Sequence, residues 1–574
     1  MNLIKTTPKK NRFLSILLFS CILFFIASLF ARHKIAKNVE LDKYDIMEAF
    51  ELIPTPIFSV SEGIYDQPFE LEIQAPEDYI IYYTTDGSTP THRSNRYKKS
   101  IMVNPQKNPN KDILSISTSL LWQPPYGQQN HSIVLRARCF RDGIGYGKVE
   151  NVIYSNSSIL QHQGFQIVHI LIEPDSLFSQ ERGIYMQGQE YYSKKSRIES
   201  DSLNQTSWAS LPANFHKRGI NWQRPAVFLQ MDLSGKTLIE QDVKIAINGR
   251  TSRAFPQKTL RIMSDSVIHY PFFDYLPYQS FKCILLRNSG QDVSYTLFCD
   301  AMIQDFVRKT LETKIDMQAY TPAVAYINGN YWGIHNIREK QDENYLAIKY
   351  GTTTEKINCF EYLDGEFRLD HGDAQAIQPF KDLIAFIQRN SLSEENAYQY
   401  VCEQIDIDNF IDYVIVETFF ANWDWGHNNM RMYRIEEQSE MMKEKNIEAG
   451  KWNWLLYDLD DAMELLPSIN MFDHIKNKFA PHFISHLFFG LMDNNQFREK
   501  FLIRYEYIIN NCFTTQNLLQ QIEEFETRYQ SEIERQVNRW RRPLFTQRWH
   551  WEVDKMKAFV RERPAIVMEQ LKLL

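Results

Sequence analysis

Two stretches hold side chains that could do chemistry together. The first, NWDWGHNNMRMYR at 422–434, places Asp424, His427 and the adjacent amides Asn428 and Asn429 between apolar runs. The second, KWNWLLYDLDDAM at 451–463, sets Asp458, Asp460 and Asp461 behind an aromatic strand. Carboxylates and amide oxygens are hard donors, and Mg2+ takes one or two carboxylates and completes its shell with phosphate oxygens and water. Asp458 and Asp460 are therefore candidate metal ligands, with Asp461 beside them and Asn429 or Asn428 as an amide ligand. Alternate residues of a strand share a face, so Trp452, Trp454, Leu456 and Asp458 are expected to point one way. A carboxylate beyond an aromatic wall suits a cation together with a flat ring. Taken singly, Asp458 or Asp460 reads equally as a helix cap or turn residue, and His427 reads as structural.

The five-residue step from Asp424 to Asn429 matches the spacing of a protein-kinase catalytic loop, where the acid accepts the hydroxyl proton of the substrate and the amide holds a metal. By itself this spacing is an analogy of logic, and it is common by chance. Two further segments gain weight beside it. NGRTSRAFPQKTLRI, 248–262, is a turn with Gly249, small hydroxyl residues and the cations Arg250, Arg253 and Lys258. Its backbone N–H groups and cations could cradle phosphates, although it lacks a Walker A pattern; the plain alternative is a polar turn with solvated cations. INGNYWGIHNIREK places Glu339 at a strand end, where it would orient a lysine or bind a metal, or simply pair with Arg338 or Lys340.

These loops need a frame. Short alternating runs split by Gly, Pro, Asp and Asn suggest a small β-sandwich over 54–156. Strands are expected at 165–174, 224–233, 281–289 and on both sides of the Gly249 turn. Residues 295–311 have helical periodicity. Asn328-Gly329 marks a two-residue hairpin within 323–340. The stretch 374–421 reads as helical, with an Asp N-cap before NFIDYVIVETFF. The acid loop follows it, then two strands parted by a charged, flexible stretch, 436–451. Helices close the chain from about 484.

The bulk composition narrows the function classes. Apolar content of 44% and charged content of 24% are those of a globular protein, and a net charge of −7 gives no basic field to attract nucleic acid. The seven cysteines are scattered without a CxxC pair, which argues against a zinc site or a disulfide framework. Lys5, Lys9, Lys10 and Arg12 precede an uncharged apolar run at 13–31, long enough to cross a bilayer. The expectation is a signal anchor over 1–34 and a stalk over 35–53, placing the remainder outside the cytoplasm, with a cleaved, secreted form as the alternative.

YYTTDGSTPT at 82–91, with the closing VIYS, resembles the chitobiase/β-hexosaminidase C-terminal-type domain, which implies a spacer or a glycan contact. From RPAVFLQMDLSG through INGRTSRAFPQKTLRI, ILLRNSGQD, AYINGNYWGIHNIREK and NWDWGHNNMRMYR to KWNWLLYDLDDA, the chain resembles the CotH family, the spore-coat-protein-H-type atypical kinases, over about 165–520. The resemblance implies an α+β fold: a divergent protein-kinase-like domain preceded by the β-sandwich and followed by packed helices at 521–574. It implies transfer of the ATP γ-phosphate, with Mg2+, to Ser or Thr of an exported protein. On it, Asp424 matches the catalytic acid and Asp458 the metal-binding acid. Trp452 sits where an aromatic ring would stack on adenine, and Lys258 and Arg253 fall in the basic segment that would meet phosphates. Glu339 matches the acid after the hairpin. Arg287, Asn288 and Asp292 match an RNxxxD block whose role stays open. The chain departs from the family at Gln257-Lys258, where many members carry paired lysines, and in the added charge at 436–450. The rival readings are a non-catalytic envelope protein that binds glycan or assembles a coat, and a metal-dependent phosphatase or nuclease.

Overall fold

The computed structural model describes residues 54–199, 211–464, 466–478 and 482–574. Between Ile57 and Ser155 the chain forms a five-stranded sheet and two short strand pairs. Its long hairpin, Ser132–Arg141 with Ile144–Ser155, buries Leu135, Val152 and Tyr154 against Leu71 and Val103.

The centre of the molecule is a closed seven-stranded barrel. Its strands are β1 (Gln166–Leu171), β2 (Arg224–Met231), β3 (Thr237–Ile247), β4 (Leu260–His269), β5 (Ser280–Arg287), β6 (Tyr320–Ile327) and β7 (Asn330–Glu339). They run antiparallel in the order β1-β2-β3-β4-β5-β7-β6, and a parallel pairing of β1 with β6, from Gln166 beside Ala323 to Ile170 beside Ile327, closes the circle. Closure leaves no strand edge open. Val168, Ile170, Phe228, Ile245, Leu260, Ile284 and Ile337 fill the interior, with Ala323 and Ala325 giving room for the larger side chains. The β6–β7 turn is Asn328-Gly329, both with positive φ, as a two-residue hairpin requires.

A second antiparallel sheet stands beyond the barrel: β8 (Ile357–Leu363), β9 (Glu366–His371), β10 (Met430–Ile435) and β11 (Trp452–Leu455), in the order β9-β8-β10-β11. Four helices frame the loops between these sheets: α1 (Cys299–Thr310), α2 (Ile407–Phe419), α3 (Thr515–Trp540) and α4 (Thr546–Leu571). Asp406 caps α2 through the N–H groups of Asp408 and Asn409. The helix is buried along its length, Asp408 alone excepted. α3 lies on the barrel, where Gln536 accepts from the Ile334 N–H at 2.8 Å and Glu532 takes the Tyr331 hydroxyl at 2.6 Å. From α4, Arg563 donates to the carbonyls of Thr418 and Phe419, satisfying the end of α2 where the acid loop begins.

Three expectations need correction. The fold is mixed α/β, built around a closed barrel, which local periodicity could not show. Among the described residues no helix is long and apolar enough to cross a membrane. The 13–31 run that suggested a signal anchor lies outside the described residues, so membrane anchoring and the extracytoplasmic placement drawn from it are withdrawn. The 436–451 stretch is not a loose loop: Ser439 caps a short helix, Glu440–Glu444, and Met442 and Ile447 are buried among Tyr350, Ile357 and Tyr433.

Candidate functional site

α2 and β11 carry the two acid loops, and the Asn409 side chain ties the two elements together. Asn409 accepts from the Trp454 N–H at 2.7 Å and donates to the Trp454 carbonyl at 3.2 Å. α2 runs on into 422–429, and β11 into 456–461. Both loops open on a cleft of about 650 Å3 between the barrel and the second sheet. The barrel contributes the 248–252 turn with Arg250, and Arg287, Gly290 and Gln291. The far wall contributes Asp424, Asn428, Asn429, Asp458, Asp460 and Asp461.

The Asp424 carboxylate is oriented by its own loop. Asn428 Nδ2 donates to Oδ1 at 3.0 Å, Asn429 Nδ2 donates to Oδ2 at 2.7 Å, and His427 Nε2 lies 3.4 Å from Oδ1. The Asn428 oxygen accepts from the Asp364 N–H at the tip of the β8–β9 hairpin, 2.8 Å away. The Asn429 oxygen accepts no hydrogen bond among the described residues. Asn429 and Asp458 both adopt left-handed backbone, with φ of 56° and 60°, a conformation that costs free energy and persists where the surroundings impose it. β11 ends at Leu455, so Asp458 is presented by an irregular turn and not by the strand end the alternation suggested.

The acids share one counter-ion. Arg287, at the end of β5, contacts Asp458 Oδ1 and lies 3.3 Å from Asp460 Oδ2. The Gln291 N–H donates to the same Asp460 oxygen at 2.7 Å. Gly290 has φ of 61°, and a Cβ there would collide with the Asp460 carboxylate. Burial and the nearby Asp458 charge push Asp460 well above the usual carboxylate range. Burial, then the carboxylates of Glu464, Asp424 and Asp458, push Asp461 up to about 7. Asp424, Asp458 and Asp461 line the same cleft, so the two turns converge.

Other expected site residues lie apart from the cleft. Lys258 is fully buried; its ammonium donates to the carbonyls of Phe255 at 2.5 Å and Thr118 at 3.3 Å and sits 4.3 Å from the centre of the Phe215 ring. Burial and the neighbouring Arg253 drive its pKa well below the usual lysine range. Arg253 is buried as well, donating to the carbonyls of Gly249, Phe215 and Ile247, which makes it the pin of the 249–254 turn. Trp452 is enclosed by Phe360 and Phe380, with no face open to a nucleobase. Glu339 is buried on the other side of the barrel wall, taking the Tyr278 hydroxyl at 2.5 Å and the Ala319 N–H at 3.2 Å.

The profile of the CotH kinase protein family matches residues 245–567, more than half of the 574-residue chain. The chain belongs to the CotH kinase protein family. The matched CotH segment takes in the basic turn, the Arg287 block, both acid loops and most of α4. A second match, to the chitobiase/β-hexosaminidase C-terminal domain, covers residues 60–108. No curated protein matches the chain.

Three residues that hold the cleft's loops in place gave no functional signal in the sequence. Arg287 stood out only as part of an unexplained block. Asn409 looked like a first-turn helix residue, and Arg563 like one charge in a C-terminal helix. Each acts across a long stretch of chain, on Asp458, Trp454 and Phe419 respectively. Within the Arg287 block, Asn288 ties the barrel turns by accepting from Thr259 at 2.8 Å and donating to the Gln257 carbonyl at 2.7 Å. Asp292 accepts from Thr296 and from the Cys299 N–H at the start of α1.

A second cavity, about 990 Å3, lies elsewhere and is lined by Lys314, Asp408, Asp412, Lys500 and Arg504. Several of its charges are paired, with Arg504 on Asp412 at 2.8 Å, Lys500 on Asp408 at 2.5 Å and Lys314 on Asp406 at 3.0 Å. It holds none of the acid-loop residues.

Proposed function

We propose that this protein is an ATP-dependent kinase that transfers the γ-phosphate to Ser or Thr hydroxyls of a protein substrate. The observation that carries this reading is the convergence of the 424–429 and 458–461 turns on one cleft, opposite a barrel wall that bears Arg250 and Arg287. Phosphoryl transfer asks the protein mainly for positioning and charge neutralisation. Asp424, fixed by two amide N–H bonds, orients the attacking hydroxyl and accepts its proton.

Among the described residues no group of three or more acidic, His or Cys side chains is spaced to hold a metal alone. That suits Mg2+, which leaves much of its shell to phosphates and water. The donor set fits: all oxygen, with carboxylates crowded enough to raise Asp460 and Asp461. Asp458 would hold the ion, with the Asn429 oxygen as the amide donor, since that of Asn428 is already engaged by Asp364. When bound, Mg2+ would offset the charge of the triphosphate.

Arg250 and the backbone of the 248–252 turn meet the phosphates from the barrel side. Arg253 serves that turn from beneath by holding the Gly249 carbonyl, and Lys258 holds the carbonyls of Phe255 and Thr118 outside it. The buried Trp452 acts as packing for the second sheet.

The test is thermal melting with and without Mg2+ and ATP. Binding to the folded state raises the melting temperature by mass action. The expected result is a shift for the wild type that is lost in Asp458→Ala. No shift in the wild type would reject the kinase reading in favour of a non-catalytic coat role.

A further inference from the structure

Arg287 has three acidic neighbours, and they are unequal. Asp300 and Asp460 are buried, with side chains 4% and 5% exposed, whereas Asp458 is 26% exposed and faces the cleft. Asp300, in the first turn of α1, is fixed independently of Arg287. Arg338 Nη1 contacts it, Gln304 Nε2 donates to it at 2.8 Å, and the Leu459 N–H donates at 3.0 Å. Burial alone would push the Asp300 carboxyl up, but Arg338 and Arg287 hold it below the usual range. Asp460 is fixed by the Gln291 N–H. The guanidinium therefore lies between two fixed buried carboxylates, Asp460 at 3.3 Å from Nη2 and Asp300 at 4.0 Å from Nε, and one open partner, Asp458, which the same Nη2 contacts; its Nε makes no hydrogen bond.

Asp458 is also the carboxylate best placed to hold a divalent ion. A divalent cation on Asp458 would bring a second positive charge against the Arg287 guanidinium, so the two compete electrostatically for one carboxylate. The arginine fork presents five donors in a plane that matches phosphate oxygens in pairs.

We propose that Arg287 is a resident counter-ion of the acid loop that changes partner on loading. In the free protein it neutralises Asp458. When a divalent cation and a triphosphate enter, Nη2 turns from Asp458 to phosphate oxygens, while the buried charges of Asp460 and Asp300 keep the guanidinium close by. This rests on the nucleotide reading of the cleft. It makes Arg287 the barrel's main phosphate contact and a brake on metal binding without nucleotide.

The test uses full-length protein and two titrations: Mn2+ alone, followed by electron paramagnetic resonance, and a non-hydrolysable ATP analogue at saturating Mn2+. For Arg287→Gln the two affinities are expected to move in opposite directions. Mn2+ alone binds several-fold more tightly than to the wild type, and the analogue binds several-fold more weakly. Arg287→Lys keeps the charge and loses the fork, so Mn2+ affinity stays near that of the wild type while analogue affinity falls; this variant decides the matter if Arg287→Gln does not fold. Mn2+ binding that is absent, unchanged or weaker in Arg287→Gln would overturn the counter-ion role. Analogue affinity equal to wild type in Arg287→Lys would overturn the change of partner. A wild type that binds Mn2+ but no analogue would reject the nucleotide reading and the change of partner with it, and Mn2+ alone would then judge the counter-ion role.

Discussion

Asn409 bonds both the N–H and the carbonyl of Trp454, joining α2 to β11 at a point from which the two acid loops diverge and then meet again. This buried amide, well removed from either acid, helps to set the separation of Asp424 from Asp458, together with the bonds from Asn422 Nδ2 to the Asp458 carbonyl and from the Met463 N–H to the Phe420 carbonyl. Replacing Asn409 with Ala leaves two buried backbone groups unpaired, at a cost of about 1–3 kcal/mol. The expected outcome is a lower melting temperature together with weaker Mn2+ binding, read on the same sample. Loss of stability with unchanged Mn2+ affinity would show that Asn409 does not help to set the loop geometry.

Arg563 makes the corresponding contact at the other end of α2. It donates to the carbonyls of Thr418 and Phe419 and to those of Pro467 and Ile469. Arg563→Met removes the donors while keeping much of the apolar stem. The expected loss is at least about 2 kcal/mol, since several buried carbonyls lose their partner together. Urea denaturation measures it, and a loss below about 0.5 kcal/mol, the scale of surface changes, would contradict the capping role.

Lys258 tests the placement of the basic segment. Its ammonium is enclosed and directed at carbonyls of the protein. Lys258→Met should leave ATP-analogue affinity within about twofold of wild type; a tenfold loss, about 1.4 kcal/mol, would place this lysine on the phosphates after all. Stability should fall modestly, because two buried carbonyls lose a donor.

Glu339 gives a pH signature. Burial, more than any neighbour, raises its pKa from 4.5 to about 7. The unfolded chain releases this proton near pH 4.5 and the folded protein only near 7, so between these values the folded state binds more protons and stability falls as pH rises. Glu339→Gln should remove that part of the decline. Denaturation at pH 5 and pH 8 measures it: the wild type should lose more stability than the variant between the two. An equal loss would contradict the raised pKa.

Much of the frame was legible because it is local. Asp406 as a cap, Asn328-Gly329 as a hairpin turn, and α2 as an apolar helix each follow from residues within a few positions of one another. The acids and amides of the cleft were legible by type, since few other side chains supply hard oxygen donors. What the sequence hid is non-local. The pairing of β1 with β6 joins Ile170 to Ile327 and closes the barrel, and no periodicity announces it. Lys258 and Arg253 sit in a segment polar enough to read as solvated, yet both turn inward onto carbonyls. Trp452 alternates correctly with Trp454, but both faces of β11 are covered, so alternation could not tell an open ring from an enclosed one. Arg287 has no meaning until Asp458, far along the chain, is brought against it.

The central claim is that Asp424 does its chemistry in a cleft where Asp458 holds the ion. Transfer of radiolabelled γ-phosphate from ATP, including autophosphorylation, tests it most directly when wild type and Asp424→Ala are compared at matched nucleotide occupancy. The account predicts transfer by the wild type and its loss, by at least about a hundredfold, in a variant that still binds ATP and Mg2+. Undiminished transfer by Asp424→Ala would contradict it.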